Sequence, residues 1–520
     1  MIALDIMKSI EQKFTKHTKN LVFPRLQRKA HFPFALFAVF CSILFLFSNL
    51  TAMADNRFPK PQFESGYTMP APTAPVARSL GLETLDVAVL VGALSLAAWL
   101  VLKARSRRGI FLLSLFSLLY FGFFRKGCVC PIGAIQNVTS WLFDSQITLS
   151  LSVAAFFLLP LIFALLFGRV FCAAVCPLGA IQDVVILSPV KVNPILARLL
   201  GFIPYLYLGL GILFAATGSA YIICRLDPFV AFFRLSGELS MIITGIMFLL
   251  IGTVVARPYC RFLCPYGVLL NWMSRLSKYH ATVTPTECIK CRLCEPACPF
   301  DAIQFPQSHP KPESRNIGIR RLGLMILLLP VLMGAGGWSA SQLAPGLARL
   351  NPTVRLSESL RLSPQQATAA QALTVTAFNG SGTKAEDLDK QVAILQAKFR
   401  VGSWALGAFL GMVFGLTLIS ASIKRCRDIY EPDRGTCLSC ARCYMFCPEE
   451  HVRSSVVTEP ALSLSKGVPP VCLKSAADTA ATTAQSPFSS IRHLLPRRTT
   501  PLISDKFKCA LLAEFDRKGR

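Results

Sequence analysis

Eight stretches of this chain are apolar over lengths that approach or reach the ~30 Å of a bilayer's hydrocarbon. They lie at about 33–52, 85–102, 109–124, 147–167, 201–223, 238–256, 322–340 and 402–422. Lipid offers no partner to an open N–H or C=O, so each stretch has to close its hydrogen bonds internally, as a helix. Composition agrees: 53% of the residues are hydrophobic and only 16% charged, against roughly a quarter charged in soluble domains. The expected fold class is an all-α polytopic membrane protein of about eight transmembrane helices.

Basic residues orient the helices, because Lys and Arg collect in short cytoplasmic loops. The leader carries Lys8, Lys13, Lys16, Lys19, Arg25, Arg28 and Lys29, which places the N-terminus in the cytoplasm. Alternation then puts Lys103, Arg105, Arg107 and Arg108 on the same side, followed by Arg169 and Lys191, by Arg315, Arg320 and Arg321, and by Lys424, Arg425 and Arg427. Both termini are expected to be cytoplasmic. The net charge of +26 then reads as topology, and no nucleic-acid motif accompanies it, so no nucleic-acid partner is expected. The run 109–124 spans only ~24 Å and ends in Arg125 and Lys126 on the outer side. It is kept as a span, because a re-entrant loop there would move Arg169 outside. Ala52-Met53-Ala54 has the small-residue pattern of a signal-peptidase site, yet the basic leader before it is long, and an uncleaved anchor is expected.

The 19 cysteines cluster at short spacings, which suits metal ligation better than a disulfide framework. Two stretches read C-x2-C-x2-C-x3-C-P: Cys288, Cys291, Cys294, Cys298 with Pro299, and Cys437, Cys440, Cys443, Cys447 with Pro448. This is the ligand run of bacterial ferredoxins, whose fourth cysteine serves the other cluster. Carried over, that pattern implies one [4Fe-4S] cluster on Cys288, Cys291, Cys294 and Cys447, and a second on Cys437, Cys440, Cys443 and Cys298. Zinc also accepts C-x2-C pairs, but two full copies each ending in Cys-Pro favour clusters. A small α+β ferredoxin-like two-cluster module is therefore expected on the cytoplasmic side.

Further cysteines stand at helix ends in a second theme: Cys172 and Cys176 before Pro177, Cys260 and Cys264 before Pro265, and the shortened Cys128 and Cys130 before Pro131. Gly-Ala-Ile-Gln follows at 133–136 and again at 179–182, an internal duplication of a helix-plus-Cys-Pro unit. Cys172, Cys176, Cys260 and Cys264 share the cytoplasmic face in the topology above, where four thiolates could close a further metal centre. The alternative is that they are polarizable apolar residues in turns. Paired C-x3-C-P turns at membrane helix ends, followed by a double ferredoxin motif, resemble the NosR/NapH-type membrane polyferredoxins over roughly residues 85 to 450. The resemblance implies an inner-membrane electron-transfer component of a bacterium, serving a periplasmic process. NosR-type members carry a periplasmic flavin domain after the first helix. Here the interval 55–84 is short and holds Pro59, Pro61, Pro70, Pro72 and Pro75, too little chain to fold around FMN, so there is no FMN domain and any flavin belongs to a separate protein.

Cys128, Cys130 and Cys224 fall on the outer face. They read either as ligands of an outer metal centre, with Asp227, water or a partner completing it, or as a disulfide from Cys128 or Cys130 to Cys224. Arg225 and Asp227 are expected to pair locally or to sit in solvent. His280 and His451 flank the ferredoxin motifs but read as surface residues. Cys41, Cys426, Cys472 and Cys509 have no spacing partner. The expected organisation is a basic leader and first helix (1–54), a Pro-rich periplasmic linker (55–84), a membrane domain with Cys-Pro turns (85–280), the first ferredoxin motif (281–310), a hairpin with an outer loop (315–425), the second motif (426–453) and a disordered tail (454–520). A short amphipathic helix is expected near Gln365 to Thr376 within the outer loop. The functional expectation is an iron–sulfur conduit between a cytoplasmic or quinone-linked donor and a periplasmic acceptor. The alternatives are a maturation factor that reduces a metal for another enzyme, and a membrane redox sensor. No nucleophile, dyad or phosphate loop marks a stand-alone enzyme.

Overall fold

The computed structural model describes residues 79–127, 130–236, 239–283, 288–307, 315–361, 369–380, 384–423 and 427–451. The leader, the first apolar run, most of the Pro-rich linker, the tail, and Cys41, Cys128, Cys426, Cys472 and Cys509 lie outside these residues. What is described is mostly helical. Five helices are long and apolar enough to cross a membrane: Leu80–Leu102, Arg107–Phe124, Pro194–Ala216, Asn316–Gln342 and Ala385–Ser422. Leu151–Phe167 and Leu239–Gly252 are apolar but shorter. The seven apolar runs read within this range therefore all appear as helices, and five of them have spanning length.

We number the helices that position the cysteines α1 (Leu80–Leu102), α2 (Arg107–Ser117), α3 (Pro131–Phe143), α4 (Leu151–Phe167), α5 (Pro177–Val184), α6 (Ile203–Ala216), α7 (Leu239–Gly252), α8 (Pro265–Arg275), α9 (Arg315–Gln342) and α10 (Ala385–Ser422). Ser106 caps α2 by accepting the Gly109 N–H at 3.2 Å, and α2 runs on into a π-helical turn, Leu118–Phe124. The basic end of this short segment is neutralised from within. Arg125 pairs with Asp86 of α1 at 2.6 Å, and Tyr120 donates to the same carboxylate at 2.9 Å. Buried Asp86, hidden inside the apolar run 85–102, thus answers the cation that made this span look weak.

Helices α9 and α10 form the inserted hairpin. Its glycines allow a close approach: a Cβ on Gly407 would collide with Gly336 O, and one on Gly411 with Leu332 O. The described parts of the connection between the two helices are largely helical, with Ala344–Ala348, Pro352–Arg361 and Ala369–Asn379 ahead of α10. A helix, Ala369–Asn379, covers part of the stretch where a short amphipathic helix is expected, and residues 362–368 lie outside the described residues. Helix α10 begins at Ala385, well before the apolar run at 402, because Leu388, Val392 and Phe399 bury one face of its polar half against Phe214, Ile222, Val354 and Phe378.

The two ferredoxin motifs, separated in sequence by this hairpin, are joined in space. Strands β1 (Ile303–Gln304) and β2 (Glu431–Pro432) pair antiparallel, with Ile303 opposite Pro432 and Gln304 opposite Glu431, and Gln307 bridges Arg427.

Candidate iron–sulfur sites

Each ferredoxin motif is a tight loop with the same unusual backbone. Lys290 and Arg292 in the first, and Ser439 and Ala441 in the second, adopt left-handed φ of 56°, 65°, 54° and 58°. These are matching positions, two and four residues after the first cysteine. Left-handed non-glycine residues cost of order 1–3 kcal/mol each and persist where something holds them. Alternating them turns successive N–H groups inward, as in the backbone nests that cradle anions and iron–sulfur groups.

The loops enclose two cavities. Cys288, Cys291, Cys294 and Cys447 line one, together with Val283, Ile289, Arg292 and Tyr430. Cys298, Cys437, Cys440 and Cys443 line the other, with Phe300, Leu438 and Tyr444 among their neighbours. In each ring three thiols come from one motif and the fourth from the other. The Ser439 N–H points at Cys437 Sγ and the Ala302 N–H at Cys298 Sγ, both at 3.4 Å. Among the described residues no three His, Cys, Asp or Glu side chains converge closely enough for a single metal ion. Four thiols ringing an apolar cavity are a donor set that suits a cuboidal [4Fe-4S] cluster. His280 and His451 line neither cavity.

The bundle cysteines are built by repetition. Cys130, Cys176 and Cys264 are the N-caps of α3, α5 and α8, and Pro131, Pro177 and Pro265 take the first helical position, where a missing N–H costs nothing. The two Gly-Ala-Ile-Gln repeats end in buried glutamines with parallel roles. Gln136 accepts the Cys224 N–H at 3.2 Å, and Gln182 accepts the Tyr259 N–H at 3.1 Å. Gln182 also donates to Cys260 Sγ at 3.3 Å. Cys176 and Cys264 are buried in the bundle core, and Cys172 and Cys260 pack half-buried against it. Burial, then the neighbouring Cys260, Cys172 and Cys264, pushes the Cys176 thiol up.

Cys224 Sγ lies 3.0 Å from where a Cβ on Gly133 would stand, against the first turn of the helix that follows Cys130. Cys130 and Cys224 are both free thiols, so the disulfide reading is not realised between them. Asp227 is buried rather than solvated, and its carboxylate accepts the Phe229 N–H at 3.0 Å. Cys128, the third expected member, lies outside the described residues.

Charged contacts seat the ferredoxin motifs on the bundle. Asp183 of α5 takes Arg107 at 2.7 Å, Arg257 at 3.3 Å and Arg442 at 3.3 Å. Burial pushes the Asp183 carboxyl up, but the Arg257, Arg107 and Arg442 guanidiniums outweigh it and hold the group well below the usual carboxylate range. Arg107 donates to Cys440 O at 3.2 Å. Arg105 pairs with Glu450 at 2.8 Å and stacks 3.9 Å over the Tyr444 ring. In sequence Arg105, Arg107 and Arg169 stand out only as topology markers, and Asp183 and Arg257 do not stand out at all. The available signal was an arginine three residues before each Cys-Pro unit: Arg125, Arg169 and Arg257.

Comparison with known proteins meets these sites directly. Residues 109–150, 149–194 and 238–280 each match one 4Fe-4S binding domain family, and residues 281–304 match a second family of that description. The chain carries 4Fe-4S binding domains. The threefold match follows the Cys-Pro repeat, one copy for each pair of cysteines. Among curated proteins the chain is similar to uncharacterized protein MJ0750 of Methanocaldococcus jannaschii, 30% identical over 99 residues, which is 19% of this chain and 41% of that protein. It is also similar to uncharacterized protein MJ0749 of the same organism, 33% identical over 67 residues, 13% of this chain and 27% of that protein. The protein named "Putative electron transport protein YccM" of Escherichia coli is 34% identical over 68 residues, 13% of this chain and 19% of that protein. The chain thus spans less than half the length of each of these relatives. No solved structure matches.

Proposed function

We propose that this chain is a membrane-bound iron–sulfur protein that passes electrons between a cytoplasmic or quinone-linked donor and a periplasmic acceptor, through a module of two [4Fe-4S] clusters. One observation carries the reading: two apolar cavities, each ringed by three thiols of one C-x2-C-x2-C-x3-C-P motif and the last thiol of the other. The likeness to an Escherichia coli protein named for electron transport supports it. Bound clusters would supply one-electron exchange without moving bonds or protons.

The chain's own residues would set the conditions of that exchange. The eight cysteines hold the irons, with Cys298 and Cys447 crossing over so that neither site forms without the other motif. The Ala302 and Ser439 N–H groups, directed at cysteine sulfurs, would stabilise the more negative, reduced state. Val283, Ile303 and Tyr430 at one site, and Phe300, Ala302 and Leu438 at the other, exclude water.

The membrane reading extends to about eight spans of a bacterial inner membrane, with both termini and the module cytoplasmic. In its favour, Arg105, Arg107, Arg169 and Lys191, all assigned inside by charge, touch the ferredoxin segments. The donor or acceptor would be a separate flavoprotein, quinone or redox protein.

The test is anaerobic iron and acid-labile sulfide on the full purified chain, with EPR of the reduced protein. At least about eight irons per chain are expected, and zinc in their place overturns the reading. With crossed ligation, Cys447→Ser removes the signal that Cys294→Ser removes. Loss of the Cys437 site's signal instead would sink the crossed assignment.

A further inference from the structure

The two C-x3-C-P turns of the bundle each carry an arginine three residues before the first cysteine, Arg169 before Cys172 and Arg257 before Cys260. Each guanidinium crosses to the other turn. A Cβ on Gly267 would meet Arg169 Nη2 at 3.4 Å, and one on Gly179 would meet Arg257 Nη1 at 3.1 Å. The arginines therefore lie over the glycines that follow the opposite Cys-Pro pairs.

Both arginines also reach the ferredoxin side. Arg169 donates from Nη1 to Gly435 O at 3.1 Å and directs Nη2 at Cys172 Sγ at 3.7 Å. Arg257 donates to Cys172 O and pairs with Asp183. Its Cζ stands 5.8 Å from the centre of the Phe300 ring, which lines the cavity of Cys298, Cys437, Cys440 and Cys443. Cys172 itself packs into the same apolar cluster as Cys298, Cys437 and Cys440. Arg257 is wholly buried and Arg169 is 7% exposed, yet the Nε–H of each has no acceptor. Buried charged donors are ordinarily satisfied, most strongly by an anion. Arg257 further holds a left-handed φ of 48°, a strain that persists only where the surroundings fix it.

We propose that Arg169 and Arg257 form a cationic bridge between the second ferredoxin cluster and a third iron–sulfur centre held by Cys172, Cys176, Cys260 and Cys264, keeping the two adjacent and raising the potential of both. The inference rests on the ferredoxin reading above and goes beyond it in placing the next electron acceptor. One electron leaves the second cluster, which is oxidised, and enters the bundle centre, which is reduced. Reduction adds a negative charge, and a buried guanidinium beside it stabilises that state. Both arginines act as positioning residues.

The experiment is redox-titrated EPR on the full chain in lipid nanodiscs, with iron counted for each variant. The wild type should hold about twelve irons, falling to about eight in Cys176→Ser. No iron at all overturns the ferredoxin reading, whereas about eight irons unaffected by Cys176→Ser overturns only the third centre. Arg257→Gln should keep its iron and lower the midpoints of two signals, each by about a tenfold change in the reduction equilibrium, about 59 mV. Arg257→Lys should restore them, and Arg169→Gln should act in the same direction. Retained iron with unmoved midpoints overturns the bridge. The wild-type spectrum decides independently of whether these variants hold iron. Spin–spin splitting of the second-cluster signal that disappears in Cys176→Ser supports adjacency, and an unsplit signal overturns it.

Discussion

Asp183 shows how one small carboxylate organises several larger side chains. Its side chain is 1% exposed and meets three arginines drawn from the first turn of α2, from the turn before Cys260 and from the second ferredoxin motif. Removing one partner of a buried ion pair leaves uncompensated charge and costs about 3–5 kcal/mol. Asp183→Ala is therefore expected to loosen the ferredoxin segments from the bundle, read as a lower temperature for loss of cluster absorbance and faster protease cleavage near Arg442. Glu358→Ala, at an exposed pair with Arg349, should leave both readings within error. The repeats Cys-Pro and Gly-Ala-Ile-Gln were legible as sequence because spacing alone displays them. Asp183 was not, because its meaning depends on Arg107, Arg257 and Arg442, which are 76, 74 and 259 positions away, and the first of them also satisfied a topology argument. Gly179 was visible in the repeat, but the reason for it, Arg257 Nη1 at 3.1 Å from any Cβ, exists only in the folded chain. Gly179→Ala should accordingly displace Arg257 and change the EPR line shape of the second cluster, while leaving its iron in place.

At the scale of elements, helices were the easiest features to read, since apolar length requires them whatever they pack against. Their ends were harder. Helix α10 extends 17 residues ahead of its apolar run because Leu388, Val392 and Phe399 find a helical cap to cover them, and nothing local announces that cap. The α9–α10 contact depends on missing side chains rather than on matching ones, as in membrane helix pairs with small residues at the interface. Gly407 and Gly411 leave no room for a Cβ, whereas Gly334 and Gly318 on α9 have nothing within 4 Å. Gly407→Ala is expected to destabilise the hairpin by about 1–3 kcal/mol through overpacking. Gly334→Ala should be neutral or slightly stabilising through helix propensity. Thermal denaturation in one detergent separates the two, and equal midpoints would show that the helices do not meet through their glycines.

For the molecule as a whole, the hairpin poses a question of assembly, since residues 315–422 separate two motifs whose thiols line shared cavities. The strands that reunite them bring the ends of the insertion together, with the Gln307 N–H 3.0 Å from Arg427 O. Loop closure across so short a gap is inexpensive, and its cost grows only slowly with the length of the excursion. The crossed pair of sites should therefore belong to the ferredoxin segments and their seat on the bundle, with the hairpin a separable unit. Excising 308–426 and joining Gln307 to Arg427 through a few glycines is expected to leave the irons of the module in place and its EPR signals unshifted. Thermal stability should fall, because Leu406 and Phe409 no longer cover Gly209, Tyr205 and Trp272. Loss of iron from this variant, with the bundle still folded by circular dichroism, would mean that the hairpin positions the clusters. The helical cap packed over Phe214 and Ile222 would then serve cluster binding as well as covering the bundle.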